Sequence, residues 1–364
     1  MLFSITSVSL YALTFVTEAY ASVEAACACN SGFVSIPVDV VLPIDPSSPA
    51  GLNSTDTFRL QTIFDVYGEL CEPITKSGDA VQMLLHGFSY TSQYWNFNAN
   101  GFQNYSYVAH SCSNGISSFA YDTPGAGRTT RPVSTDCQLP TASNISSSIA
   151  RELKSGMINR LLSGQEKRFT KVVGVGHSLG SSTLSYAAIH DGERSPFDGL
   201  ILTVKQLNHG RVVTFDLIPA SQISPGRFSG LDPGYVTTPN ESVRSIFYGP
   251  TATSFSQDIL TLDFLTQDVG STWMGEQNSF TYEPANGFKG PVVEMVGSFD
   301  SLLCLPSRGP CDRTSLQGSE AFYWPDSRNF SVILIDGFGH DLNLEFGAAK
   351  AFSVMNELFE AFVA

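Results

Sequence analysis

The sequence predicts an α/β fold, a mostly parallel sheet flanked by helices, and three observations carry that expectation. Short apolar runs at 81–85, 116–121, 171–175 and 199–203 read as buried strands, with helical patterns at 141–162 and 181–190 between them. Strand, helix, strand in succession requires parallel pairing through right-handed crossovers. The run Lys171-Val-Val-Gly-Val-Gly-His-Ser-Leu-Gly-Ser181 reads as a β-branched strand that turns sharply into a small-residue helix at Ser178. The strand pattern then resumes at 291–296 and 330–335, and each of these strands ends in a glycine-containing turn that carries an acid or a histidine. Carboxyl ends of parallel strands are where open α/β sheets keep their sites.

At the N-terminus, residues 2–16 are mostly apolar or small and are followed by Ala19-Tyr20-Ala21, an A-x-A cleavage pattern. The reading is a secretory signal peptide over 1–21, although it has no charged n-region. A membrane anchor is the competing reading, disfavoured because the stretch is short and Glu18 closes it. Sequons at Asn53, Asn104, Asn144, Asn240 and Asn329, each in polar or loop-like sequence, fit export. Seven cysteines fit an oxidising compartment, enough for up to three bridges with one thiol left over, and Cys304 with Cys311 is the favoured pair. A formal net charge of −14 and a pI near 4.7 argue against nucleic acid or an anionic membrane as partner, since both repel an acidic surface.

The segments 33–42 and 58–70 alternate or cluster apolar residues as strands do, with a proline- and serine-rich stretch between them, and read as an edge hairpin. The strand at 81–85 runs into His86-Gly87-Phe88, where the glycine lets the backbone bend until an N–H points into a pocket. The N–H groups of Phe88 and of Leu179, the residue after the serine, are the candidate oxyanion hole. The strand at 116–121 ends in Asp122-Thr-Pro-Gly-Ala-Gly-Arg128, a forced turn. The helix expected over 141–162 carries Ile145, Ile149, Leu153, Met157 and Leu161 at four-residue spacing. Gly176 and Gly180 flank Ser178 in the pattern G-x-S-x-G of a nucleophile elbow, a turn so tight that side chains at the flanking positions would collide. The pentapeptide is common by chance in a glycine- and serine-rich chain, so its strand–turn–helix setting carries the reading.

His86-Gly-Phe, Asp122-x-Pro-Gly-x-Gly and Gly176-His-Ser-Leu-Gly180, in this order and at these separations, resemble the α/β-hydrolase superfamily. The resemblance implies an α/β-hydrolase fold with an eight-stranded-type sheet, divided as 22–205 for the first part of the core, 206–286 for a mainly helical cap inserted over the serine, and 287–364 for the rest. Relatives among epoxide hydrolases and dehalogenases use an aspartate nucleophile; here the position is Ser178, which moves the reading toward ester, lactone or thioester cleavage. The segment 206–286 carries Phe228, Tyr235, Phe247, Tyr248, Phe264, Leu265, Trp273 and Met274, enough apolar surface to cover a pocket for a hydrophobic substrate.

The chain order Ser178, Asp300, His340 is the one this fold uses for a catalytic triad. His340 takes the serine proton, and Asp300 holds the histidine tautomer. His86, His110, His177, His190 and His209 read as packing or surface residues. Asp341, next to the histidine, is poorly placed for a clamp, and Asp122 lies on an earlier strand. No H-E-x-x-H or paired C-x-x-C occurs, so no metal and no cofactor is expected, and a G-x-G-x-x-G dinucleotide site is missed by one residue at Gly174 to Gly180. The expected activity is a secreted serine hydrolase acting on a small-molecule ester or lactone, with no nucleic acid partner and no stable membrane anchor. A non-catalytic binding protein on the same fold, and a cofactor-free peroxidase or carbon–carbon hydrolase using the same triad, stay open as alternatives, as does the oligomeric state.

Overall fold

A computed structural model describes residues 27–45, 56–75, 78–98, 101–102, 104–205, 216–250, 253–304 and 311–364. The expected signal peptide, the sequon at Asn53 and His209 lie outside the described residues. The main sheet has eight strands: β1 Cys27–Pro43, β2 Thr57–Pro73, β3 Ala80–Leu85, β4 Ser117–Tyr121, β5 Lys171–His177, β6 Gly199–Thr203, β7 Val292–Gly297 and β8 Phe330–Ile335. They lie in the order β1-β2-β4-β3-β5-β6-β7-β8. The first two pairings, β1 with β2 and β2 with β4, are antiparallel, and the others are parallel.

Sequence pattern explains this division. Strands β4 and β6 are buried at every position and read as unbroken apolar or small-residue runs, as strands covered on both faces must. Edge strand β1 alternates instead: Val34, Ile36 and Val38 face the core, while Phe33 and Pro37 point outward. Helices cover both faces. On one side, α1 Tyr107–Ser113 and the C-terminal α7 Ala348–Val363 pack Tyr107, Phe352 and Met355 against Val173 and Val175; on the other, α2 Leu139–Ser155 and α4 Leu179–Asp191 pack Ile145, Ile149 and Leu184 against Leu85 and Val172. The remaining helices are α3 Met157–Ser163, α5 Gln257–Thr266 and α6 Arg313–Glu320, besides single-turn segments.

The long helix expected over 141–162 is two helices. Gly156 ends α2 in the left-handed region at φ 84°, and a Cβ there would stand 2.7 Å from the Lys167 carbonyl oxygen, so only glycine fits the break. Ile145, Ile149 and Leu153 are buried as expected, whereas Met157 and Leu161, rotated by the break, are exposed. The final helix, expected from Leu344, starts at Ala348 after Gly347.

Three disulfides form, Cys27–Cys112, Cys29–Cys71 and Cys304–Cys311, and Cys137 is the thiol left over. Between β6 and β7 the described part of the insertion combines short helices with a three-stranded antiparallel sheet of Ile218–Pro219, Tyr235–Thr237 and Gly270–Ser271. The expected helical stretch at 241–248 is one turn, Glu241–Arg244, followed by a tighter turn over Ser245–Phe247. Phe228, Tyr235, Met274 and Phe280 of this segment pack on Leu139 and Tyr186, with Leu179 at their margin. This part of the segment between β6 and β7 therefore packs on α2 and α4. Of the aromatic and apolar residues expected to cover a pocket, Leu265 is instead largely exposed.

Candidate active site

Ser178 joins β5 to α4 at φ 52° and ψ −114°, a backbone conformation that residues other than glycine seldom adopt. Its neighbours enforce the bend. A Cβ on Gly176 would stand 2.5 Å from the Ser181 nitrogen, and one on Gly180 would stand 2.4 Å from the Leu85 carbonyl oxygen. The Ser178 N–H donates to the Thr203 carbonyl at 2.9 Å, which ties the turn to the end of β6.

Asp300 lies in the turn after β7 and His340 in the loop after β8. The two loops touch because Gly297 has no side chain: a Cβ there would overlap the Gly339 carbonyl oxygen at 2.0 Å. Asp300 Oδ2 lies 2.8 Å from His340 Nδ1, and Oδ1 accepts the N–H groups of Leu302 at 2.9 Å and Leu303 at 3.1 Å. The carboxylate is fully buried and its orientation is fixed by these three bonds. With Nδ1 engaged, Nε2 is the nitrogen of His340 free for proton transfer. Among the described residues no hydrogen bond joins the Ser178 hydroxyl to His340. The His340 ring centroid is 5.5 Å from that of His177, the residue before Ser178. Serine–histidine bonds of this kind often tighten only when substrate binds.

The turn at His86-Gly87-Phe88 runs against the elbow: a Cβ on Gly87 would meet His177 Cδ2 at 2.7 Å and Ser178 Cβ at 3.2 Å. Neither the Phe88 N–H nor the Leu179 N–H donates to an acceptor among the described residues; Leu179 is the first residue of a helix, whose N–H groups have no intrahelical partner. His86 props the turn from behind. The Thr123 N–H donates to its Nε2 at 3.0 Å, so the ring proton sits on Nδ1 and reaches the Gly87 carbonyl at 2.8 Å. Burial lowers the His86 pKa and keeps the ring neutral, as this tautomer requires.

The other candidates have structural partners. His177 is buried and stacks on Tyr94 with ring centroids 4.1 Å apart, and burial, then the nearby His340 and His86, push its pKa well below the usual range. His190 stacks on Tyr186, and His110 lies against Phe352. Asp122 accepts the Ser92 and Arg128 N–H groups and pins its own turn. Asp341 turns away from His340: its Oδ2 accepts the Tyr90 hydroxyl at 2.5 Å, and its Oδ1 lies 3.8 Å from His177 Nε2. Among the described residues one grouping has metal-ligand spacing, Cys29, Glu69 and Cys71, but its two thiols are consumed in a disulfide. A polar cleft of about 510 Å³ lies between Asp122, Arg128 and the insertion, and another of about 460 Å³ lies beside Phe299 and Ser301; Ser178 lines neither.

Sequence reasoning missed the buried charges around this constellation. Arg244, Asp263 and Glu345 are all inside the protein, with Ser89 and Tyr90 among their neighbours. Glu345 Oε1 accepts the N–H of Gly339, next to the histidine, at 2.8 Å and that of Gly249 in the insertion at 3.0 Å. No local pattern marks Arg244 or Asp263, which lie 19 residues apart, and the Arg244 partner Ser89 lies 155 residues away.

The sequence profile described as the alpha/beta hydrolase family matches residues 83–348, spanning the His86-Gly87-Phe88 turn, the Ser178 turn, the segment between β6 and β7 and the His340 loop. The chain belongs to the alpha/beta hydrolase family. No curated protein matches it. Among solved structures, this alpha/beta hydrolase is similar to a monoacylglycerol lipase of Paleococcus ferrophilus, at 17% identity and TM-score 0.51, over 82% of this chain and 99% of the lipase. A soluble variant of the monoglyceride lipase of Saccharomyces cerevisiae is similar at 17% identity and TM-score 0.50, over 82% and 92% of the two chains. An esterase of Exiguobacterium antarcticum is similar at 16% identity and TM-score 0.50, over 82% and 96%. At such identities the likeness shows the fold alone. Within the described residues of this alpha/beta hydrolase, no helix is long and apolar enough to cross a membrane.

Proposed function

We propose that this alpha/beta hydrolase is a serine hydrolase that cleaves a carboxylic ester or lactone of a fairly hydrophobic small molecule through an acyl-enzyme intermediate. The observation that carries the reading is the strained Ser178 turn, set beside an Asp300–His340 pair and two backbone N–H groups without acceptors. In this reading the Ser178 oxygen attacks the carbonyl carbon while His340 Nε2 takes its proton. Asp300 stabilises the imidazolium, and the Phe88 and Leu179 N–H groups receive the negative charge that develops on the carbonyl oxygen. Collapse breaks the bond to the alkoxy oxygen, which leaves with the proton from His340. Water, deprotonated by the same nitrogen, then attacks the acyl carbon; the bond to Ser178 Oγ breaks, His340 returns its proton to that oxygen, and the carboxylic acid product leaves. The esterases and lipases among the structural neighbours are consistent with this chemistry and do not choose the substrate.

Export is part of the proposal. Three disulfides fit an oxidising compartment. The sequons at Asn104, Asn240 and Asn329 are exposed; Asn144 is half-buried on α2 rather than in a loop and is the least accessible of the described four. The expected mature chain begins at Ser22, which N-terminal sequencing of secreted protein checks.

The decisive experiment combines a fluorophosphonate probe with p-nitrophenyl esters of rising chain length and a lactone. Wild type should label and turn over; Ser178→Ala should not label and should lose roughly 10⁶-fold in kcat, the scale seen when a serine nucleophile is removed. Retained turnover in clean Ser178→Ala protein overturns the reading.

A further inference from the structure

Three successive residues beyond Gly87 in the turn after β3, Phe88, Ser89 and Tyr90, each touch the insertion. The Phe88 ring fills a notch at Gly270 and Gly275, where a Cβ on Gly270 would overlap the ring at 2.3 Å. Ser89 is buried at φ 60°, a second left-handed non-glycine residue close to the nucleophile. Its carbonyl accepts the Asp268 N–H at 2.9 Å, and its hydroxyl accepts a bond from Arg244 Nη1 at 2.7 Å. Tyr90, next in the chain, lies under the same guanidinium, 4.2 Å from its ring centre. Arg244 is itself locked: Nε and Nη2 fork onto the two oxygens of Asp263, each at 2.8 Å, and the Tyr248 hydroxyl donates to the same carboxylate at 2.9 Å.

A fully buried arginine is costly unless it is paired, and here one carboxylate satisfies two of its nitrogens. The third reaches across to the core and ends on Ser89. A serine does not hold a left-handed conformation unaided; the bond from Arg244 and the bond from Asp268 fix both its side chain and its carbonyl. The peptide between Phe88 and Ser89 follows directly on the Phe88 N–H, the oxyanion donor of the proposed mechanism. Oxyanion-hole donors act through placement, and a donor that swings away by an ångström no longer meets the charge that forms in the transition state.

We infer that Arg244 is a positioning residue which, through Ser89, holds the Phe88 N–H in its oxyanion-binding position, so that the hole is complete only while the insertion is seated on the core. The inference rests on the serine-hydrolase reading above. The insertion then does more than cover substrate: it assembles part of the catalytic machinery. The histidine loop is tied to the same body, since the Asp341 N–H donates to the Phe247 carbonyl at 2.7 Å.

The test uses the full chain with Ser89→Ala and Arg244→Lys, a trifluoromethyl ketone, which adds to Ser178 and places an oxyanion in the hole, and the matching methyl ketone as its non-adding control. Ser89→Ala removes the acceptor and leaves the ion pair; Arg244→Lys keeps the charge and loses the fork. Both should lower kcat on a p-nitrophenyl ester by at least roughly tenfold, below the 10²–10³ of losing a donor outright, with KM within about twofold. Trifluoromethyl ketone binding should weaken by the same factor, with methyl ketone binding unchanged. Should Arg244→Lys fail to fold, Ser89→Ala alone decides. Folded Ser89→Ala at wild-type kcat, or one that loses both ketones equally, overturns the inference. A wild type that turns over no ester and ignores fluorophosphonate brings down the hydrolase reading itself, and this inference with it.

Discussion

At the scale of single residues, the site shows which contacts can be read from neighbouring sequence and which cannot. Ser178 stands out because the glycines that permit its turn are two residues away on either side, and the reason for each is a backbone approach under 3 Å. Asp300 and His340 were readable at one remove, as polar residues just past strand ends. Arg244 gave no sign: its acceptor Ser89 is 155 residues distant, and a charged residue on a short helix ordinarily reads as solvated. Asp300→Asn tests the clamp. An amide keeps the shape but favours the wrong tautomer of His340, and the expected result is a fall in kcat of roughly 10⁴-fold with little change in stability, measured by steady-state kinetics beside thermal unfolding.

Among elements, boundaries followed the strength of the local signal. Strands β6 and β8 begin and end where their apolar runs do. Helix α6 was missed because Arg-Thr-Ser-Leu-Gln-Gly-Ser-Glu offers one apolar side chain, Leu316, to the core, and the helix is held partly by its Asp312 cap. The joined helix over 141–162 failed for the opposite reason: the period continues past Gly156, and only the contact with Lys167 reveals the break. The edge hairpin is the element most dependent on covalent help. Cys29 and Cys71 face each other across its register, and Cys27 ties its first residue to α1. The bridges span 85 and 42 residues, a doubling that changes loop entropy by only about 0.6 kcal/mol, so the two should matter about equally. Cys29→Ser with Cys71→Ser should lower stability by about 2–4 kcal/mol in denaturant titrations, and exchange in β1 should rise before exchange in β5.

Across the whole molecule, three buried carboxyls set the response to pH. Burial, with help from Asp263, raises Asp341 to about 7; burial likewise raises Glu345 to about 8 and, against the opposing pull of Lys205, Glu294 to about 7. In the unfolded chain these groups release their protons near pH 4. Between those limits the folded protein binds more protons than the unfolded one, so stability falls as pH rises. Their contribution is complete below about pH 4 and is lost through about pH 8. Self-repulsion of a chain at −14 acts in the same direction. Buried neutral His86 and His177 oppose this trend below about pH 6.5, where the unfolded chain protonates them. The melting temperature should therefore decline from about pH 6.5 to pH 8, and Asp341→Asn should flatten that decline; a midpoint that climbs over this range contradicts the assignment.

Cys137 lies under the insertion with its thiol 3.3 Å from the Tyr235 hydroxyl, and burial pushes its pKa up to about 12. Locked away, it is chemically silent toward alkylating reagents. Once heat or denaturant lifts its cover, the same sulfur regains an ordinary pKa and becomes the one nucleophile able to shuffle the three bridges. Scrambling, rather than loss of structure as such, would then be what makes melting irreversible at mildly alkaline pH, and Cys137→Ala should cool back to its starting signal where the natural sequence does not.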